Sequence, residues 1–439
     1  MEYNIRQQNI INSKEKNILC LACAAGGKTA TLIARVNRLL DEGVEPSSIV
    51  AFTFTNQAAE EMRKRLGEKC EGMFIGTIHS YANKICNLAN IPTYGDIAEE
   101  QFDKIISKAV TVPISIHPKV AYLFVDEFQD TDPLQYNFIL RIPAENRFYV
   151  GDERQFIYSF RGASDRFIRE IAEDPTFKKY YLVENYRNPP NIIRYADDYL
   201  NSMPKISPCA IPTITKQGFL DKNCSFADAA EEMTWTKDWT GWAVLCRANS
   251  EIEEAEKYLN KIGVPNVIVK RGDLDLEQMG HLLEENKVKI MTIHSAKGLE
   301  FPVVFVSGMG KRVNLMDARN DVIVHTELGP VPDYFDRKKR IKRSSLLKKA
   351  VSRKITNDVI GEEIRILYVA LTRARTKLIM TGYIPGDCEK INEYRKKSNS
   401  YLEMTGGADC YYDWVSPCFA RHPAWADTFG GEVRVSQDT

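Results

Sequence analysis

One short segment near the amino terminus constrains the fold more than any other part of the chain. Ile18–Cys23 is a continuous apolar run that leads through Ala22-Cys-Ala-Ala-Gly-Gly-Lys-Thr29 into Thr29–Leu40, where apolar residues recur at helical spacing. A strand, a glycine-containing loop and a helix in this order can hold a triphosphate on backbone N–H groups and the helix's positive end. Lys28 would reach the β- and γ-phosphates, and Thr29 would ligate magnesium.

A second acidic element is needed for nucleotide hydrolysis, and the apolar run Val120–Val125 ends in Asp126-Glu127. An aspartate at the end of a buried strand can hold magnesium, and the neighbouring glutamate can accept a proton from the attacking water. The alternative is an ordinary acidic surface turn. The polar segment Phe128-Gln-Asp-Thr that follows the strand favours the hydrolytic interpretation.

Strand-like and helical segments alternate along most of the chain, which is the pattern of a parallel sheet covered by helices. Ligands of such sheets bind at the carboxyl ends of the strands. The pattern restarts near residue 181, and the prediction is therefore a first domain at 1–180, a second at 181–382 and a carboxyl-terminal extension at 383–439 that packs on them. The 439 residues suit this number of domains at roughly 100–200 residues each.

Composition excludes several classes of protein. Hydrophobic residues make up 44% and charged residues 27%, so disorder is not the dominant state. The 59 basic and 59 acidic residues cancel, and any site for a polyanion must therefore be local. The ten cysteines include the pair Cys20 and Cys23 but no further ligands at metal-site spacing. Without a signal segment or an apolar run of ~20 residues, we expect a soluble cytoplasmic protein with no membrane partner.

Further motifs follow the phosphate loop in a fixed order. They are Gln7 (or Gln8) ahead of the loop, Thr53-Phe-Thr-Asn-Gln-Ala-Ala, Gly76-Thr-Ile-His-Ser, Asp126-Glu-Phe-Gln-Asp, Gly151-Asp-Glu-Arg-Gln with Tyr158-Ser-Phe-Arg-Gly, Asn185-Tyr-Arg, Met291-Thr-Ile-His-Ser-Ala-Lys-Gly-Leu-Glu-Phe-Pro, and Leu367-Tyr-Val-Ala-Leu-Thr-Arg-Ala. In this order they resemble the Q motif and motifs Ia, Ib, II, III, IV, V and VI of UvrD/Rep-type superfamily 1 helicases. Glu362-Glu-Ile-Arg-Ile-Leu and Tyr411-Tyr-Asp-Trp-Val resemble the AddA/RecB-like branch.

The resemblance implies two RecA-like P-loop NTPase domains, with parallel sheets flanked by helices and ATP with Mg²⁺ in the interdomain cleft. It implies catalytic roles for Lys28, Glu127 as the base, Gln155 as the γ-phosphate sensor, and Arg187 and Arg373 as arginine fingers. It implies that the nucleotide is bound by Gln7, Gly26, Gly27, Lys28, Thr29, Tyr186 and Glu300, and that the metal is held by Thr29 and Asp126.

A track for single-stranded DNA is also implied by the resemblance. Its expected residues are Phe54, Thr55, His79, Tyr158, Phe160, Arg161 and His294. Aromatic faces suit such a track because every base can stack on them, without sequence preference. Phe54 and Phe160 have an alternative role as buried core residues, since buried phenylalanine is far commoner than stacked phenylalanine.

Arg337–Lys354 stands outside these motifs and holds ten basic residues and no acidic one. A solvated helix face is the usual explanation for such a run. Because so many like charges repel one another unless a polyanion screens them, we formulate the hypothesis that this segment contacts DNA phosphates.

The chain departs from the resemblance in its spacing and in its phosphate loop. About 46 residues separate His79 from Asp126 and about 104 separate Arg187 from Thr292, which leaves little room for the accessory domains of relatives. We therefore expect a minimal motor without those domains and without a nuclease domain. Ala25 stands where relatives have glycine, and its methyl group costs energy only if the loop needs a positive φ there.

Two functions follow from these patterns. The first is an ATP-dependent single-stranded-DNA translocase and helicase of 3′–5′ polarity, stimulated by single strands or strand junctions and working with a partner such as a nuclease. The alternative is a nucleotide-gated DNA-binding or scaffold subunit with weak or no hydrolysis. A complete hydrolytic set of side chains favours the first.

Overall fold

The computed structural model describes residues 2–98, 101–158, 166–200, 207–213, 219–224, 226–270, 276–325, 328–336, 338–382 and 410–415. The chain divides into two compact units. The first comprises Met1–Tyr186 and Lys205–Thr213, and the second comprises Arg187–Pro204 and Ile214–Thr439. None of the described helices is both long enough and apolar enough to cross a membrane.

The first unit contains eight strands and eight helices among its described residues. Its strands are β1 Asn17–Ala22, β2 Ile49–Phe52, β3 Phe74–Gly76, β4 Val120–Val125, β5 Ala144–Gly151, β6 Lys178–Leu182, β7 Glu184–Asn185 and β8 Ile211–Pro212. Its helices are α1 Ile5–Ile11, α2 Lys28–Asp41, α3 Asn56–Leu66, α4 Ile78–Leu88, α5 Tyr94–Ala98, α6 Phe102–Thr111, α7 Pro133–Arg141 and α8 Arg166–Glu173.

Six strands of this unit form one parallel sheet in the order β3-β2-β4-β5-β1-β6. Alternate residues of β1 pack into opposite cores: Leu19 and Leu21 belong to one hydrophobic cluster, and Ile18 and Cys20 belong to the other. Because both faces of the strand are covered, the segment is apolar without alternation, as the sequence pattern indicates. The polar ends of the strands are left at one edge of the sheet, where the site forms.

The second unit repeats this architecture. Its strands are β9 Phe219–Cys224, β10 Trp242–Cys246, β11 Asn266–Ile268, β12 Val288–Thr292, β13 Phe301–Val306, β14 Val322–His325, β15 Gly329–Pro332, β16 Tyr334–Asp336, β17 Ile341–Arg343 and β18 Ala374–Thr381. Its helices are α9 Pro190–Leu200, α10 Phe226–Glu231, α11 Asn249–Lys261, α12 Leu276–Glu284 and α13 Leu346–Leu371. The main sheet is parallel with the order β11-β12-β10-β13-β18-β9. Two antiparallel hairpins, β14–β15 and β16–β17, are inserted before α13.

The strand expected to open the second domain at residue 181 lies in the first sheet. β6 runs parallel to β1, and Leu182 O accepts a hydrogen bond of 2.8 Å from Cys23 N. This edge strand therefore belongs to the first unit, which extends to Tyr186. A local hydrophobic pattern cannot tell which of two similar sheets a strand joins, because strand pairing is a long-range contact.

Residues 410–415 pack on the second unit. Trp414 is fully buried, Tyr412 N donates 3.0 Å to Met309 O, and Tyr411 Oη donates 2.7 Å to Glu363 Oε2. These contacts give the Tyr-Tyr-Asp-Trp-Val segment a structural role. The rest of the expected extension at 383–439 lies outside the described residues.

Candidate functional site

The phosphate loop of the first unit is held in place by the segment that follows β6. Asn185 Nδ2 donates 2.8 Å to Ala24 O, and Tyr186 N donates 3.2 Å to Ala25 O. A Cβ at Gly26 would lie 3.1 Å from the carbonyl oxygens of Cys23 and Leu182. Packing from both sides therefore fixes the course of the loop and leaves no room for a side chain at Gly26.

Two residues of the loop have left-handed backbone conformations. Gly27 caps the amino end of α2 at φ +78°, where glycine carries no steric penalty, and Ala25 has φ +53°. An L-residue in this region is disfavoured by about 1–2 kcal/mol because its Cβ approaches the following carbonyl oxygen. The alanine at position 25 is therefore strained.

We expect Ala25→Gly to stabilise the chain. Relief of the left-handed strain outweighs the extra freedom that glycine has in the unfolded chain, which leaves a net gain of about 0.5–1 kcal/mol. Urea unfolding measures this gain. The matched control is Ala34→Gly in the interior of α2, which should destabilise by about 1 kcal/mol. A loss of stability at both positions would contradict the strain.

Gln7 lies against the phosphate loop, and its neighbour Gln8 is exposed. The Asn4 side chain caps α1 by accepting from Gln7 N at 2.8 Å, and Gln7 Oε1 accepts from Asn4 N at 3.0 Å. A Cβ at Gly27 would lie 2.7 Å from Gln7 Nε2. The Asn4 amide also donates to the hydroxyl of Tyr186, whose side chain is 45% exposed. Gln7, Gly27 and Tyr186, three residues expected at the nucleotide, are thus gathered in the first unit.

The phosphate-loop residues meet the acidic motif through their side chains. Lys28 Nζ lies 2.7 Å from Glu127 Oε2, and Thr29 Oγ1 donates 3.2 Å to Asp126 Oδ2. Burial on its own would lower the pKa of Lys28, but the charges of Glu127, Asp152 and Asp126 raise it, so the lysine is fully charged. Burial and the charge of Glu127 raise the pKa of Asp126 to about 6, although Lys28 opposes the shift.

A glutamine connects this carboxylate cluster to motif III. Gln129 Nε2 donates to Glu127 Oε2 at 2.7 Å, and Gln129 Oε1 accepts from Asp152 N at 3.0 Å. Asp152 Oδ2 in turn accepts from Gln155 Nε2 at 2.8 Å. A Cβ at Gly151 would lie 2.5 Å from Gln129 Oε1, so glycine is required where the network turns. Glu127 itself has φ +51°, a strained conformation of the kind found at functional sites.

Sequence reasoning did not single out Gln129. Its side chain is completely buried, and a buried amide must be hydrogen-bonded. The available signal was the polar stretch after β4, which does not say which of its members turns inward.

The residues present fit a magnesium ion. Thr29 and Asp126 supply a hydroxyl and a carboxylate oxygen, the hard donors that Mg²⁺ takes, while the remaining positions go to water and phosphate. In the described part of the chain, no three metal-type side chains gather in one cluster. A pair of protein ligands is the number expected for a metal that binds together with a nucleotide.

A groove of about 730 Å³ lies elsewhere on the first unit. It is lined by Thr53, Phe54, Thr77, Ile78, His79, Gln101, Phe102, Asp103, Lys104, Asp130, Asp132, Gln135 and Tyr158. Two ring pairs occur among these residues. Phe54 stacks on Tyr158 with centroids 4.9 Å apart, and His79 meets Phe102 edge to face at 6.1 Å.

The groove contains three of the expected DNA-track residues: Phe54, His79 and Tyr158. Tyr158 is buried and Phe54 is half-buried, so the pair offers limited ring surface. Thr53 rather than Thr55 lines the groove, because the Thr55 hydroxyl accepts from Ala58 N at 3.1 Å and caps α3. Phe160 and Arg161 lie outside the described residues.

Sequence reasoning missed the wall that α6 contributes to the groove. Phe102 is 45% exposed, and the Asp103 carboxylate lies 3.6 Å from His79 Nε2. This helix occupies the short connection between motifs Ib and II. No motif marks it, and only the chain's path brings it next to His79.

In the second unit, the two candidate arginine fingers and Glu300 lie near Thr372. Arg187 Nε lies 2.6 Å from Glu300 Oε2, and Arg187 Nη1 lies 3.5 Å from Thr372 O. Arg373 is buried, and its guanidinium donates to Val369 O at 2.9 Å, Leu299 O at 3.0 Å and Thr372 Oγ1 at 3.2 Å. Arg187 and Glu300 are thus brought together as the motifs predict. Their roles toward a nucleotide stay predictions.

His294 lies in the turn after β12 of the same unit. Its carbonyl accepts from Lys297 N at 3.3 Å, and its side chain is half-buried. A DNA contact at this position also stays a prediction.

Comparisons with known proteins agree with this architecture. The UvrD/REP helicase N-terminal domain matches residues 3–95 and 86–176, and the UvrD-like helicase C-terminal domain matches residues 266–383. These matches fall on the two α/β units, so the sheets are RecA-like P-loop folds.

Two similar proteins are named as the AddA-type component of an ATP-dependent helicase/nuclease. The protein of Clostridium botulinum (strain Kyoto / Type A2) is 43% identical over 160 residues, which are 35% of this chain and 12% of the relative. That of Bacillus cereus (strain AH820) is 44% identical over 161 residues, 35% of this chain and 13% of the relative. The match thus spans about an eighth of the relatives' length. With both helicase domains matched in order, the chain belongs to the UvrD/Rep family of helicases, in its AddA-like branch.

Proposed function

We propose that this chain is the motor of an ATP-dependent single-stranded-DNA translocase and helicase that moves 3′ to 5′. Membership of the helicase family and the hydrolytic side chains gathered in the first unit support the proposal. The relatives are named as one component of a helicase/nuclease. By analogy we propose a partner chain, possessing or assisting a nuclease, and a place of action in the cytoplasm.

One observation carries the proposal: a single buried side chain links the hydrolytic site to the groove. Gln129 Nε2 donates both to Glu127 Oε2 at 2.7 Å and to Asp130 Oδ2 at 3.2 Å, and Asp130 lines the groove. A strand in the groove that moves Asp130 would also move the amide that orients Glu127. This contact gives DNA a physical means to stimulate hydrolysis.

The proposed chemistry follows from the positions of these side chains. Lys28 binds the phosphates, Glu127 accepts the proton of the attacking water, and Gln155 senses the γ-phosphate from the Asp152 end of the network. Thr29 and Asp126 would hold Mg²⁺, which supplies charge neutralisation when bound. Gln7 and Tyr186 would contact the adenine, Glu300 the ribose, and Arg187 and Arg373 are the proposed arginine fingers.

The test is ATP turnover by the full chain with no nucleic acid, with a single-stranded DNA oligomer, with blunt duplex and with RNA. We expect single-stranded DNA to stimulate turnover most, because its exposed bases can enter an aromatic groove. Duplexes with a 3′ or a 5′ tail then report polarity. Nucleotide binding without turnover under all four conditions would overturn the proposal in favour of a nucleotide-gated scaffold protein.

A further inference from the structure

The basic run Arg337–Lys354 does not form one solvated helix face. Its described part forms strand β17, the turn before it and the first turns of α13. A small hydrophobic core of Ala318, Ile323, Val331, Val351 and Ile355 joins the first hairpin to the helix. The charges are therefore carried by a folded module, which we call the double-hairpin module (residues 316–325, 328–336 and 338–358).

Two lysines of the run serve to build the module. Lys348 is buried, with Nζ 2.7 Å from Asp333 Oδ1 and 2.8 Å from Asp321 O. Lys342 pairs with Asp321 and Asp333. These contacts attach the second hairpin to the rest of the module, so the surface beside it has a defined shape.

Seven other cations of the run are exposed. They are Lys338, Lys339 and Arg340 in the hairpin turn, Arg343 on β17, and Lys349, Arg353 and Lys354 on α13. The run contains no acidic residue, although the chain as a whole is neutral. Such a concentration of one sign favours a polyanion as the ligand.

Aromatic and basic side chains alternate on the second hairpin. Tyr334 lies directly across from Arg343 in the antiparallel register, so both project from the same face. Tyr334 is 62% exposed and its neighbour Phe335 is 56% exposed. A duplex backbone would use only the cations, whereas unpaired bases would also stack on an exposed ring, and the combination favours a single strand.

We propose that the double-hairpin module is a second single-stranded-DNA contact of the motor, in addition to the groove of the first unit. Arg340, Arg343, Lys349 and Arg353 bind phosphates, and Tyr334 stacks on a base. The inference rests on the proposed function, because it assumes that the motor acts on single-stranded DNA.

The experiment measures binding of a fluorescent oligo-dT by the full chain at several salt concentrations. The test variant carries Arg340→Gln, Arg343→Gln, Lys349→Gln and Arg353→Gln together. The control variant carries Lys14→Gln, Lys64→Gln, Lys178→Gln and Lys179→Gln, which remove the same charge from exposed positions of the first unit. Each lost phosphate contact lowers the slope of log affinity against log salt by about 0.7, so the test variant should lose about 2–3 and the control close to none. Tyr334→Ala should weaken binding at least about fivefold.

Three outcomes would overturn the inference: equal slopes for test and control variants, a loss confined to duplex DNA, or no effect of Tyr334→Ala. Circular dichroism confirms that each variant is folded. The DNA-stimulated ATP turnover of the unaltered chain is measured in parallel. If that turnover is stimulated while the slopes are equal, the module hypothesis fails alone, whereas absence of stimulation is a failure of the proposed function itself.

Discussion

Replacing Glu127 by glutamine is expected to slow ATP hydrolysis by about 10²–10⁴-fold while nucleotide binding persists. The amide has nearly the same shape but cannot take the proton of the attacking water. Lys28 and the phosphate loop, which would bind the triphosphate, are unchanged. Turnover is measured by phosphate release, and binding by titration with a fluorescent ATP analogue.

Lys28→Ala is the comparison that separates the two roles. It removes the cation 2.7 Å from Glu127 and leaves Asp126 and Glu127 to repel the triphosphate, so binding and hydrolysis should both be lost. If Glu127→Gln loses binding to the same extent as Lys28→Ala, or hydrolyses ATP normally, the assignment of Glu127 as the base is wrong.

The second large effect is expected from Glu363→Ala in α13. The Glu363 carboxylate accepts from Arg247 Nε at 2.7 and 2.8 Å and from Tyr411 Oη at 2.7 Å. Removing a buried partner leaves a charge and a hydroxyl without their acceptor, which costs about 3 kcal/mol; the exposure of Arg247, whose side chain is 39% accessible, keeps the value from being larger. Urea unfolding followed by tryptophan fluorescence measures the loss, since the buried Trp414 lies three residues from Tyr411.

Graded variants test the cause of this loss. Tyr411→Phe removes one hydrogen bond but keeps the packed ring, so a cost of about 1 kcal/mol is expected. Glu253→Ala changes an exposed glutamate of α11 and should stay within about 0.5 kcal/mol of the unaltered chain. A cost for Glu363→Ala no larger than that for Glu253→Ala would contradict a structural role for the ion pair.

The phosphate site was the most predictable part of the molecule. Its strand, loop and helix are consecutive in the chain, so local pattern places Lys28 and Thr29 at the start of α2 without knowledge of the remainder. The strand of Asp126 is equally apolar and ends in the same polar way. Because both strands are parallel members of one sheet, their carboxyl ends share an edge, and the contact of Lys28 with Glu127 follows from the fold class.

The membership of β6 was not predictable, because its pairing with β1 joins residues far apart in the chain. The same holds for the basic run, where net charge and spacing indicate a surface helix but hairpin pairing decides that Tyr334 and Arg343 share a face. Neither result violates the local pattern. Each depends on which distant segment supplies the hydrogen bonds.

The sequence by itself determined the fold class, the order of the helicase motifs and the residue types available for chemistry, because these depend on hydrophobic period and on short loops. Only the tertiary structure decided that Ala25 and Glu127 adopt left-handed conformations, that Gln129 joins the carboxylate to the groove, and that α6 supplies a wall of that groove. Backbone strain and buried hydrogen bonds arise from packing between distant segments, which a local pattern does not encode.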